Sequence, residues 1–186
     1  MSAGCWTRAR SRRAASELDV ARTTSFRWRH RFLTLSKHDR AERLSGIAEA
    51  DEMFVLESHK GSRNLDRPAR KRGGKATKRG ISNQQVCILV ARDRSGQTID
   101  AITGKGPVTT EQLHAHLAAR LSPDVLLVTD AHPAYPRFAH AAGISHEAVN
   151  ARADVRKRGA LRIQNVNAYH SRVRGWLLGF RGVASR

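Results

Sequence analysis

Apolar positions along this chain fall in short groups of differing period, and the spacing predicts strands and helices in alternation. Ile47 to Val55 reads as a first strand. A hairpin follows, with Gln85–Ala91 and Gln97–Ile102 on either side of the turn Asp93-Arg94-Ser95-Gly96. Thr109 and Gln112 form a capping box opening a helix through Arg120. Within that helix Leu113, Leu117 and Leu121 repeat at i, i+4 and i+8, a single buried stripe. Val125–Thr129 is an apolar run expected as a strand buried on both faces. His132 and Pro133 stop it, a short helix covers Tyr135 to Ala142, Gly143 ends that helix, and a last strand spans Ile144 to Val149. From about Val166 a late helix begins, with Tyr169, Val173, Trp176 and Phe180 at helical spacing, read as core packing. The order β-β-β-α-β-α-β plus a late helix predicts a mixed α/β sheet flanked by helices.

Ahead of the sheet, residues 11 to 35 look helical and basic. A short helix and turn over Ala14–Val20 precede a second helix, Ala21–Leu33. Leu18, Val20, Phe26 and Leu33 are expected on its small apolar side, with Arg22, Arg27, Arg29 and Arg31 outside. This is a helix-turn-helix-like segment, assigned to residues 1–40, ahead of a larger domain at 46–186. Two stretches do not fit a core. Residues 57–80 form a basic, glycine-rich loop, and 152–162 a basic linker.

Charge changes the picture more than size does. The 186 residues suffice for one core and a small appendage, and they carry a formal net charge of +18 with a pI near 11.5. Such a balance favours a polyanionic partner, through phosphate neutralisation and counterion release. No run approaches a membrane span, and no apolar stretch follows the N-terminal arginines as in a secretory signal. Cys5 and Cys87 are too far apart in a two-cysteine chain to suggest a disulfide framework or a zinc site. A soluble protein of the cytoplasm is the expectation.

Against that basic background two acidic residues stand out. Asp130 ends the run Val125–Thr129, and Asp51 lies within the first strand. A carboxylate beside a core is costly unless it is paired or bound to a metal, so the two together suggest metal-assisted phosphodiester chemistry. Alternation places Glu49 and Asp51 on one strand face and Glu52 on the other, making Glu52 the poorer ligand. On the late helix, His170 and Arg174 share a face neighbouring the apolar one.

Four segments, AEADEMFVLESHKG, LLVTDAHPAY, IQNVNAYHSRVRGWLLGFRGVA and TTSFRWRHRFL, resemble bacterial insertion-sequence transposases of the DDE class, in the ISXO-like group. The resemblance covers nearly the whole chain from Ala14. It implies a ribonuclease-H-like catalytic domain and metal-dependent cleavage and transfer of element ends. It makes Asp51, Asp130 and His170 the catalytic residues and ligands of a divalent metal, Mg2+ or Mn2+, with Asn167 and Arg174 in support. Glu147 and Asp154 are fallback carboxylates. DNA, both element ends and target, is the implied partner, contacted by Arg27, Trp28, Arg29, Arg31, Arg70, Lys71, Arg72, Lys75, Lys78 and Arg79. A homo-oligomer associated with the bacterial nucleoid is implied as well. Histidine stands where many relatives have glutamate, paired N-terminal cysteines are lacking, and the C-terminal segment is shorter than usual. Both ends are therefore expected to be shortened, which leaves a second class of function open: an inactive remnant that only binds DNA. A ribonuclease-H-like nuclease acting on other nucleic acids is a third.

Overall fold

The computed structural model describes residues 11–38, 42–70, 74–149, 161–180 and 183–185. Lys71, Arg72, Asp154 and most of the basic linker at 152–162 lie outside the described residues. The chain forms two compact units, Met1–Arg40 and Ala41–Arg186.

In the first unit, α1 (Ser11–Glu17) and α2 (Arg22–His38) are joined by a turn in which Asp19 adopts a left-handed conformation, φ 50°. Aspartate tolerates that region better than bulkier residues. The contact between the helices is small and differs from the expected one. Ala14, Ala15 and Ser25 are buried, whereas Leu18 and Phe26 face solvent at 37% and 54% exposure. Small side chains let the two helices approach closely, and the larger ones are left outside.

The second unit is built on five strands: β1 (Ile47–Leu56), β2 (Gln85–Asp93), β3 (Thr98–Lys105), β4 (Leu126–Thr129) and β5 (Ser145–Ala148). They lie in the order β3-β2-β1-β4-β5. β1, β2 and β3 pair antiparallel, while β4 lies parallel to β1 and β5 parallel to β4. Thus β1 is central and hydrogen-bonded on both edges. The helices are α3 (Thr110–Leu117, continued by a 3-10 turn to Arg120), α4 (Ala134–Ala142) and α5 (Gln164–Leu178).

Alternation along β1 divides the two layers. Ala48 and Ala50 join Leu113, Leu117, Tyr135 and Phe138 in one buried cluster, so α3 and α4 cover that face. Glu49 and Asp51 point the other way, toward α5. The capping box at the start of α3 is formed as expected: Thr109 Oγ1 accepts from the Gln112 amide, and the Thr109 amide donates to Gln112 Oε1. Leu113, Leu117 and Leu121 are all buried. Gly143 ends α4 at φ 67°, where a side chain would be strained.

One packing expectation is corrected. On α5 the buried residues are Val166 and His170, at i and i+4. Tyr169, Val173, Trp176 and Phe180 are only half-buried, and Trp176 packs against Phe180 with ring centroids 4.5 Å apart. The late helix therefore presents a stripe containing a histidine to the sheet.

Candidate active site

The pairing of β1 with β4 positions the two aspartates. Their parallel register ends at Ala50 against Thr129, so the next residue on each strand is Asp51 and Asp130. Beyond Thr129 the chain turns: Asp130 Oδ1 accepts from the His132 amide at 3.1 Å, and Pro133 leads into α4. Asp51 remains in the strand, with Oδ1 accepting from the Glu52 amide at 2.9 Å.

Burial and like charge act together on Asp51. The Asp51 carboxyl is pushed up to about 6, first by desolvation and then by the Asp130 charge, against smaller opposing effects of the Glu52 amide and the Arg174 guanidinium. Glu52 is pushed up to about 7, chiefly by burial, although the Tyr135 hydroxyl donates a hydrogen bond to it. Tyr135 itself is fully buried, and its hydroxyl is pushed far up by burial and by the Glu52 charge. The Glu52–Tyr135 bond ties β1 to the start of α4, five residues after Asp130.

His170 reaches the same place from the opposite face. Its Nδ1 lies 3.8 Å from Asp51 Oδ2, and its Nε2 is buried with no hydrogen-bond partner. Burial, aided by the Arg174 charge, holds its pKa down to about 4. With His170 held neutral and Asp51 pushed up, the pair is not an ion pair. It is an imidazole held beside a carboxyl, beyond hydrogen-bond distance. Among the described residues, no three His, Cys, Asp or Glu side chains are arranged to hold a metal ion by themselves. Asn167 is exposed one turn before His170, and Arg174 is exposed one turn after it.

Glu49 has a role that the sequence reading missed. Its side chain is fully buried and accepts from the Asn165 amide at 2.7 Å, the Val166 amide at 3.2 Å and Asn165 Nδ2 at 3.0 Å. Arg94 pairs with it at 3.1 Å. Alternation alone places Glu49 on the face of Asp51; its partner residues lie 116 and 117 positions further along and carry no local signal.

The basic residues divide by environment. In α2, Arg27, Trp28 and Arg31 are exposed, whereas Arg29 is half-buried with its Nε enclosed. Ser11, Arg12, Arg22, Thr23, Phe26 and Arg27 line a cleft of about 520 Å3 between α1 and α2. In the loop after β1, Lys75, Lys78 and Arg79 are exposed. Arg70 turns inward instead, donating to the Glu57 carbonyl at 2.7 Å.

A five-stranded sheet in this order, with three antiparallel strands followed by two parallel ones and helices on both faces, is a ribonuclease-H-like fold. The chain belongs to the ISXO2-like transposase domain family, which it matches over residues 43–185. No curated protein matches the chain. Similar solved structures include the simian T-cell lymphotropic virus intasome in complex with PP2A regulatory subunit B56 gamma, at 15% identity and a TM-score of 0.43. That match covers 75% of this chain, which spans 42% of the length of its counterpart. The HTLV-2 integrase catalytic core domain in complex with magnesium, in a dimeric form, is similar at 14% identity and a TM-score of 0.40, over 78% of this chain and 80% of that one. The pre-cleavage Mos1 transpososome is similar at 12% identity and a TM-score of 0.31, over 92% and 70%.

Proposed function

We propose that this chain cleaves the ends of an insertion sequence and transfers them to target DNA, using a divalent cation held at Asp51 and Asp130. The observation that carries the reading is the β1–β4 register, which leaves the two aspartates side by side where the strands end their pairing. The like charge of Asp130 beside a partly buried Asp51 carboxyl, pushed up to about 6, supports a cation there that would offset it. The donor set fits a hard dication such as Mg2+ or Mn2+, which uses one or two carboxylates and leaves the rest of its shell to water and substrate phosphate. When bound, such an ion activates the attacking hydroxyl and neutralises charge on the leaving oxygen.

The chain's own groups do the rest. Asp51 and Asp130 hold the cation. His170 presents a neutral imidazole beside Asp51, a softer donor that suits Mn2+ better than Mg2+. Asn167 and Arg174, on the same side of α5 as His170 and exposed, supply a hydrogen-bonding amide and a positive charge to the scissile phosphate. Residues 1–40 serve as the DNA-binding segment and 46–186 as the catalytic domain. In the former Arg27, Trp28, Arg29 and Arg31 contact DNA, and in the latter the arm at 57–80 does, through Lys71, Arg72, Lys75, Lys78 and Arg79. Joining two ends requires more than one active site, so the working form is a homo-oligomer on DNA. Among the described residues no helix is long and apolar enough to cross a membrane.

Nicking of supercoiled plasmid with Mn2+ or Mg2+ tests the reading without knowledge of the element's ends. The native chain is expected to nick, and Asp130→Asn is expected to lose nicking while its fold and DNA affinity persist. A folded, DNA-binding native chain that leaves plasmid intact with either ion overturns the catalytic reading and leaves a protein that only occupies DNA.

A further inference from the structure

The first turn of α5 has no cap of its own. Ile163, at the N-cap position, makes no side-chain cap bond, and the first turn contains no acidic residue. The opening amides of a helix have no partner within it and need an acceptor from elsewhere. At Asn165 and Val166 that acceptor is Glu49, a buried side chain from the centre of β1. Its negative charge also stands at the positive end of the helix dipole. Five residues after Asn165 comes His170, and two residues after Glu49 comes Asp51.

We propose that Glu49 is a positioning residue for the active site: by capping α5 from β1, it fixes where His170 stands relative to Asp51. The inference rests on the reading of Asp51 and His170 as parts of one site. The hydrogen-bond pattern explains why a glutamate is required there. Oε2 accepts from two backbone amides, and Oε1 accepts from Asn165 Nδ2 and Arg94. Both oxygens therefore face donors only. A glutamine in either orientation turns its own NH2 toward donors, and an aspartate is one methylene too short to reach them all. Arg94, from the β2–β3 turn, supplies the charge that allows the carboxylate to be buried at all. Glu49 thus joins three segments, and its neighbour Asp51 shares the face that α5 covers.

Native-state hydrogen exchange on the full chain tests this directly, because the Asn165 and Val166 amides owe their protection to Glu49. In Glu49→Gln, protection at those two amides is expected to fall about tenfold or more, the scale of a lost hydrogen bond to a charged group. Amides of the β1–β2 ladder are expected to keep theirs. The His170 imidazole C–H resonances should shift or broaden, and nicking should fall about tenfold with unchanged DNA affinity. Asn165→Ala, which keeps both backbone bonds, is expected to leave the Val166 amide protected and His170 unmoved. Should Glu49→Gln fail to fold, Glu49→Asp takes its place with the same readouts.

Unchanged protection at Asn165 and Val166 overturns the inference. So does loss spread evenly over the whole sheet, which would make Glu49 a general stabiliser. Exchange and the His170 resonances require no catalysis. A native chain that does not nick therefore counts against the proposed activity, while those two readouts still decide the role of Glu49.

Discussion

Asp51, Glu52 and His170 have in common that burial drives each toward its neutral form. For stability this has opposite consequences. Asp51 and Glu52 hold protons in the folded chain up to about pH 6 and 7, whereas unfolded carboxyls release them near pH 4. Across that interval the folded state binds more protons, so their contribution to stability is lost as pH rises. His170 works the other way: it is neutral when folded above about pH 4 and protonated when unfolded up to about 6.5, so its contribution grows over that window. Two carboxyls outweigh one imidazole. The metal-free chain is expected to lose thermal stability at this site between about pH 5 and pH 7. Added Mn2+ should restore it near neutrality and do little at pH 5, where Asp51 is protonated. Calorimetric Tm values with and without Mn2+ at the two pH values check this; equal metal-induced gains at both would contradict it. The sequence revealed Asp51 and Asp130 because each interrupts an apolar run. Glu49 was hidden because its meaning depends on an amide 116 positions away.

Elements were legible in proportion to how local their signals are. The α3 cap is a contact between residues three apart, and its stripe repeats within three turns, so both could be read from the string. Thr109→Ala is accordingly expected to cost about 1 kcal/mol in urea unfolding, the usual value of such a cap. On α5 the periodicity was right for a helix but the buried face was misassigned. Aromatic spacing pointed to Tyr169, Val173, Trp176 and Phe180, whereas the sheet takes Val166 and His170. A helix placed over polar Glu49 and Asp51 meets a different surface from one placed over an aliphatic face, and sequence spacing does not reveal which surface awaits it. The same limit applied in the first unit, where Leu18 and Phe26 looked like core and Ala14 and Ala15 supplied it.

For the whole molecule the dominant quantity is its charge of +18. If the exposed cations of the 57–80 arm contact phosphates, Lys75→Gln, Lys78→Gln and Arg79→Gln together should weaken DNA binding across all sequences. The log–log salt slope should flatten by about 0.9 for each phosphate no longer neutralised. An unaltered slope in fluorescence titrations would remove the arm from the interface. That arm also lies between the two strands at the heart of the sheet, β1 and β2. During folding, therefore, β2 can find β3 across a short turn at once, but it can find β1 only by closing a loop crowded with like charges. Loop closure by itself grows costlier only slowly with length, so the self-repulsion weighs heavily in the delay. Salt that weakens DNA binding should consequently hasten refolding in stopped-flow experiments, and a rate indifferent to ionic strength would show the loop closes unopposed. The charge that suits this chain to nucleic acid is in this way also a brake on the assembly of its own sheet.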